Sequence, residues 1–274
     1  MLSIVLTEFQ KIKRYHILLV GIIGMTLSPV LGIVTQNVAM EEAKNPNFDL
    51  GALVNNTIWN NAAIFMPVIF TLIGGYLIRR EYTDDTLKNI LTVPVSFPKL
   101  MAGKVAAVGL LALILGWYSF VIAVIVGVFA RLHGMSLFTL AKGFLQMGGI
   151  SLGTYIAVLP IVSLCGKMPG LYMGGSVIAF FLGYCSMFFK SGLLRNIYPF
   201  LASFTVIGFD TASYISAKSE GSVPLGIASL GAMLVISVFF IVGWKTPGEA
   251  KTKQKKHSFS LRPAQRERIK TNRH

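Results

Sequence analysis

The chain has 274 residues, 54% hydrophobic and 13% charged, with a mean hydropathy of +0.66, a balance that excludes an ordinary soluble domain and marks an integral membrane protein. Its net charge is +14, but ten of the 25 Lys and Arg residues fall in the last thirty positions and most others flank apolar runs, so the charge orients the chain in a membrane and no nucleic-acid partner is expected. Two cysteines, Cys165 and Cys185, show neither CxxC nor Cys/His spacing and read as helix-packing residues, with no disulfide framework and no metal site.

Before the first apolar run, Leu2, Val5, Leu6, Phe9 and Ile12 share one helical face and Ser3, Thr7, Lys11 and Arg14 the other, which predicts an amphipathic helix lying on the membrane surface; a frayed terminus is the plainer alternative. Six stretches of about 20 residues, enough to cross a hydrocarbon core roughly 30 Å thick as helices, are predicted near 16–36, 57–78, 102–130, 143–165, 170–189 and 223–244. The first is longer than a signal-peptide core, contains Pro29 and ends without a small-x-small cleavage site, so it reads as a span. Asn60, Asn61 and Gln146 stand near the outer ends of the second and fourth spans. They either meet a substrate entering from the outer leaflet or make interhelical hydrogen bonds.

The segment RREYTDDTLKNILTVPVSFPKL (79–100) is dense in charge between the second and third spans. Thr83 or Asp84 is an expected N-cap, Glu81, Asp84 and Asp85 suit the start of a helix dipole, and Pro94 enforces a stop. Leu87, Ile90 and Leu91 make a short apolar face, and Asp84 and Lys88 can pair across one turn. Ser96 then restarts the chain, with Pro98 in the first turn of the next helix.

Further along, Gly149 with Gly153, Gly170 with Gly174, and Ala179 with Gly183 recur at helix-packing intervals, and Pro29, Pro67 and Pro160 fall within spans, where each leaves a carbonyl without its helical donor. YPFLASFTVIGF (198–209) is apolar but short for a span and is flanked by Lys190, Arg195 and Asp210; it reads as a re-entrant or surface-lying hairpin on the outer face. The tail 245–274 is polar and basic, expected to be disordered and drawn to anionic lipids, with simple retention of topology as the blander role. Loop by loop, Lys and Arg number three in the N-terminal arm, five in 79–104, one in 166–169 and ten in the tail, against six in the alternate loops, so both termini and the 79–104 segment are expected in the cytoplasm.

The missing chemistry narrows the function. Gly103-Lys104 and Gly166-Lys167 are followed by Val105 and Met168 and lack the upstream glycine of a phosphate-binding loop, so the chain is not expected to hydrolyse ATP. Four scattered His residues suggest no metal or acid–base site. All eleven Asp and Glu residues lie outside the predicted spans, against an ion-coupled transporter.

REYTDDTLKNILTVPVSFPKLMAGK resembles the second intracellular loop of type-2 ABC transporter permeases, through Glu81, Thr86, Leu87, Leu91, Pro94, Ser96 and Lys104. The resemblance implies an all-α membrane protein with six transmembrane helices, an N-terminal interfacial helix, a re-entrant hairpin before the last helix, and a coupling helix (79–95) docking on a separate ATP-binding subunit. Leu87, Ile90 and Leu91 would supply the buried contact and Arg79, Arg80 and Glu81 the rim. A solvated inner loop would explain the arginines but not the capped helix and proline stop. One permease domain, 1–244, is expected, with the tail appended. The chain itself would hold no cofactor, ATP and Mg would sit on the partner, and a second copy or a sister permease would complete the assembly in a bacterial plasma membrane. Within that family the chain looks most like permeases giving resistance to peptide antibiotics of the bacitracin and lantibiotic type. Export of another drug or lipid-like amphiphile, or a non-transporting membrane sensor, are the alternatives.

Overall fold

A computed structural model describes residues 2–12, 16–39, 45–83, 97–165, 170–189, 196–212, 214 and 221–242. Among them the regular elements are all helical: α1 (Leu2–Ile12), α2 (Ile17–Val38), α3 (Leu50–Asn60), a π-helical segment (Asn61–Phe65), α4 (Met66–Thr83), α5 (Phe97–Phe129), α6 (Leu137–Cys165), α7 (Leu171–Cys185) ending in a 3-10 turn, α8 (Pro199–Val206) and α9 (Val223–Val242). Met1–Ile241 forms one unit; of the second, Val242–His274, all but Val242 lies outside the described residues, and with it the predicted tail 245–274.

Among the described residues six helices are long and apolar enough to cross a membrane: Ile17–Val38, Leu50–Arg80, Lys99–Phe129, Leu137–Cys165, Leu171–Phe188 and Val223–Val242. The second begins at Leu50, seven residues before the expected start at 57. The Asp49 side chain caps it, accepting the Ala52 N–H at 2.7 Å, and Leu50, Leu53, Val54 and Ile58 bury one face. The amides between them lower the local hydropathy without breaking the helix. The 31 residues of Leu50–Arg80 extend about 46 Å at 1.5 Å per residue, more than a core of roughly 30 Å requires.

The second and fourth spans form the centre, each 72% buried over its most apolar stretch, against 28% for the first and 17% for the last. α2 buries only Gly21, Met25, Ser28, Pro29 and Gly32, a stripe at three- and four-residue intervals. Its Leu19, Val20, Ile23, Leu27 and Leu31 point outward, as suits a helix solvated by lipid. α1 packs against α5 with Ile12 buried and Thr7 and Gln10 exposed.

Small residues set the close approaches. A Cβ on Gly75 of α4 would stand 2.7 Å from Tyr172 Cβ of α7, and one on Gly183 of α7 would stand 2.5 Å from the Ala63 carbonyl and 2.8 Å from Pro67 Cγ. Gly149 and Gly153 of α6 admit α8, where a Cβ would meet Ile207 at 2.6 Å and Ser203 at 2.7 Å. The packing expected of Gly170 and Gly174 is corrected within the chain. Both are exposed, and among the described residues beyond their chain neighbours none comes closer than 4.0 Å to a Cβ at either; Gly170 instead takes φ +74° ahead of α7, a left-handed turn that glycine enters without steric cost. α8 starts at Pro199 in the first turn and buries Phe200, Leu201, Ala202 and Phe204. Its 8 residues rise about 12 Å, too little to cross a bilayer.

Candidate functional site

At the end of the bundle away from α1, four pieces of chain meet around a cavity of about 490 Å³. The last turns of α2 bring Thr35 and Gln36, the loop before α3 brings Asn45, the first turns of α3 bring Asn55 and Asn56, and the chain after α8 brings Asp210 and Tyr214. Capping by Asp49 positions the asparagines, and the Leu50 N–H also donates to the His133 carbonyl at 3.0 Å, tying this turn to the chain between α5 and α6. Gln36 Nε2 donates to the Asn45 carbonyl at 2.9 Å, and its Oε1 accepts the Asn45 N–H at 3.3 Å, which fixes that wall.

The opposite wall hangs on aromatics. Tyr214 stacks on Trp59 with centroids 4.8 Å apart and planes at 14°, and Trp59 in turn meets Phe204 of α8 at 5.1 Å. The Tyr214 hydroxyl donates to Asn56 Oδ1 at 2.7 Å. Burial first, and the Asp210 carboxylate second, push the Tyr214 phenol up to about 12, so it stays protonated and keeps donating at neutral pH. A smaller hollow of about 170 Å³ shares Asn55 and is lined further by Phe138, Thr139, Lys142 and Gln146. There the Gln146 Nε2 donates to the Gly208 carbonyl at 3.3 Å, holding the turn after α8. The arrangement can bind a polar group by hydrogen bonds. It brings together no nucleophile with a base, and no metal-binding group of three His, Cys, Asp or Glu exists among the described residues.

Asn61 lies fully buried within the bundle at the start of the π segment. Its Nδ2 donates to Ser119 Oγ of α5 at 2.8 Å, and Ser119 Oγ donates to the Met25 carbonyl of α2 at 3.0 Å. That carbonyl is the one Pro29, four residues on, cannot bond. Asn61 Oδ1 has no partner among the described residues. Asn60, its neighbour, is half-buried and lines neither hollow.

At the other end, Arg80 Nη1 donates to the Tyr76 hydroxyl at 2.7 Å with the guanidinium 5.8 Å from that ring, and Tyr76 meets Tyr172 edge to face at 6.0 Å. Arg79 is half-buried and Lys104 buried. Glu81 belongs to the last turn of α4. Thr86, Leu87, Ile90, Leu91 and Pro94 lie outside the described residues. The helices entering and leaving the 79–95 segment, α4 and α5, are thus described, and the segment between them is not.

Gln146 is among the residues expected from the sequence, whereas Asn55, Asn56, Asp210 and Tyr214 emerge as lining residues only in the fold. Tyr214 and Asn56 are 158 positions apart, and no local pattern pairs them; the available signal was the unusual run of amides, Asn55, Asn56, Asn60 and Asn61, at the start of a membrane span. Residues 4–186 match the family model described as ABC-2 family transporter protein. Over 96 residues the chain is 33% identical to the bacitracin transport permease protein BCRB of Bacillus licheniformis, a stretch that covers 34% of this chain and 45% of that protein, so the match spans about half of the relative's length.

Proposed function

Because the chain belongs to the ABC-2 family of transporter proteins, we propose that it is the membrane-spanning subunit of an ATP-driven exporter that removes antimicrobial peptides or similar amphiphiles from the membrane. The observation that carries this reading is the family match over 4–186, which encloses the 79–95 segment together with four complete spans. The likeness to a bacitracin transport permease supports a peptide antibiotic as cargo. ATP and Mg act on a separate ATP-binding subunit, and two permease copies, or this chain with a sister permease, complete the pathway in a bacterial plasma membrane.

In this reading both termini are cytoplasmic, α1 lies along the inner surface, the 198–209 segment dips into the outer leaflet, and the α2–α3 cavity opens outward. The coupling helix receives the ATPase through Leu87, Ile90 and Leu91, with Arg79, Arg80, Glu81 and Thr86 around them and Pro94 ending it. A short helix held between two long spans converts a motion of the cytoplasmic subunit into a tilt of both. The test is copurification of the chain with its ATPase, followed by peptide-sensitivity assays. Leu87→Asp is expected to abolish association and resistance together, and Glu81→Ala to weaken both. If Leu87→Asp leaves both intact, the segment is not the docking site.

A further inference from the structure

The cavity at the α2–α3 end has spare hydrogen-bonding capacity and a charge bias. Asp210 is the one ionised side chain among its described lining residues. Its Oδ1 accepts the Ala212 N–H at 2.9 Å, which leaves the second carboxylate oxygen uncommitted among the described residues. Asn55 makes no side-chain hydrogen bond among them, and Asn56, whose Oδ1 is taken by Tyr214, keeps its Nδ2 for another acceptor. One carboxylate beside amide donors matches an ammonium group adjoining carbonyls. An anion would meet Asp210 with like charge. A divalent cation would want more anionic oxygen than one carboxylate supplies. A volume of about 490 Å³ lies within the usual range of ligand pockets, about 300–1,000 Å³.

We propose that this cavity binds the ammonium-bearing part of a peptide, with the charge on Asp210 and the adjoining peptide groups on Asn55 and Asn56. The inference rests on the exporter reading for its place in transport, and gives that reading a recognition element. It does not require the ATPase to be present, so it is measured on the full chain alone in lipid nanodiscs. Three probes separate the sources of the ammonium: trialanine amide with a free α-amine, its N-acetyl form, and N-acetyl-lysyl-alanine amide.

Calorimetric titration is expected to show trialanine amide binding about tenfold more tightly than its acetylated form, the scale of one charge-assisted contact. Asp210→Asn, which keeps the Oδ1 acceptor for Ala212, removes that preference, and Asn55→Ala weakens the free-amine peptide several-fold. Both positions are exposed, so substitution spares the packing. Binding of the lysyl probe as tight as that of trialanine amide supports recognition of any ammonium beside peptide groups; weaker binding assigns the site to the chain terminus. Equal affinity for free and acetylated trialanine amide, or a preference that survives undiminished in Asp210→Asn, overturns the proposal. Neither result bears on association with the ATPase, so the exporter reading stands or falls separately.

Discussion

Pro29 and Ser119 make a matched pair across two helices. The proline withholds the N–H that would have closed a helical bond on the Met25 carbonyl, and the serine hydroxyl supplies a donor from α5 at 3.0 Å, while itself accepting from Asn61. Removing the hydroxyl strips a buried carbonyl and a buried amide at once. Ser119→Ala is therefore expected to lower stability by about 1 kcal/mol, the scale of interhelical hydrogen bonds in lipid. Pro29→Ala returns the backbone donor, so the double variant should lose less than the single losses added together, as thermal unfolding in detergent would show. Both halves are legible separately in the sequence, Pro29 as a source of a free carbonyl and Asn61 as a polar residue in a span. Their link through Ser119 was illegible because the partners are 58 and 94 positions apart, and helical periodicity reaches only about four residues.

At the scale of elements, one close junction is between α7 and the helix formed by the π segment and α4. Gly183 sits where a methyl group would press on the Ala63 carbonyl and on Pro67, one backbone group and one rigid ring, so nothing flexible can give way. Gly183→Ala should cost about 1–3 kcal/mol through overpacking. Gly174→Ala, on the open face of α7, should change stability by under about 0.5 kcal/mol. The midpoint of thermal unfolding, compared for the two variants side by side, checks the contrast. Spacing alone marked Gly183 and Gly174 alike, since a small residue four positions away shows which face is smooth but not whether a neighbour lies on it. Helix type and number were easier, because twenty apolar residues have few alternatives in lipid. The start of the second span was misplaced because Asn55 and Asn56 depress hydropathy, whereas Asp49 and the buried Leu50, Leu53 and Val54 decide where the helix begins.

For the molecule as a whole, the uneven distribution of Lys and Arg makes a directional claim that the helices alone do not. If the N-terminal arm, the 79–104 segment and the tail lie inside, as that distribution predicts, Ser136 between α5 and α6 is expected to face outward and Thr271 inward. In a cysteine-depleted chain, Ser136→Cys should react with a membrane-impermeant maleimide on intact cells and Thr271→Cys only after permeabilisation. The reverse pattern would invert the protein and place the α2–α3 cavity on the cytoplasmic side. The six-span architecture was legible from hydropathy, whereas the cavity was not, since Thr35, Asn45, Asn56 and Asp210 become neighbours only once the bundle closes. The π segment at Asn61–Phe65 joins the two ends of the molecule in a way that hydropathy cannot register. A π turn is an α-helix carrying one surplus residue. Without that residue Asn55 and Asn56 would stand turned by about 100° relative to the arginines near the far end of the same helix, so one residue sets the angular phase between the two ends.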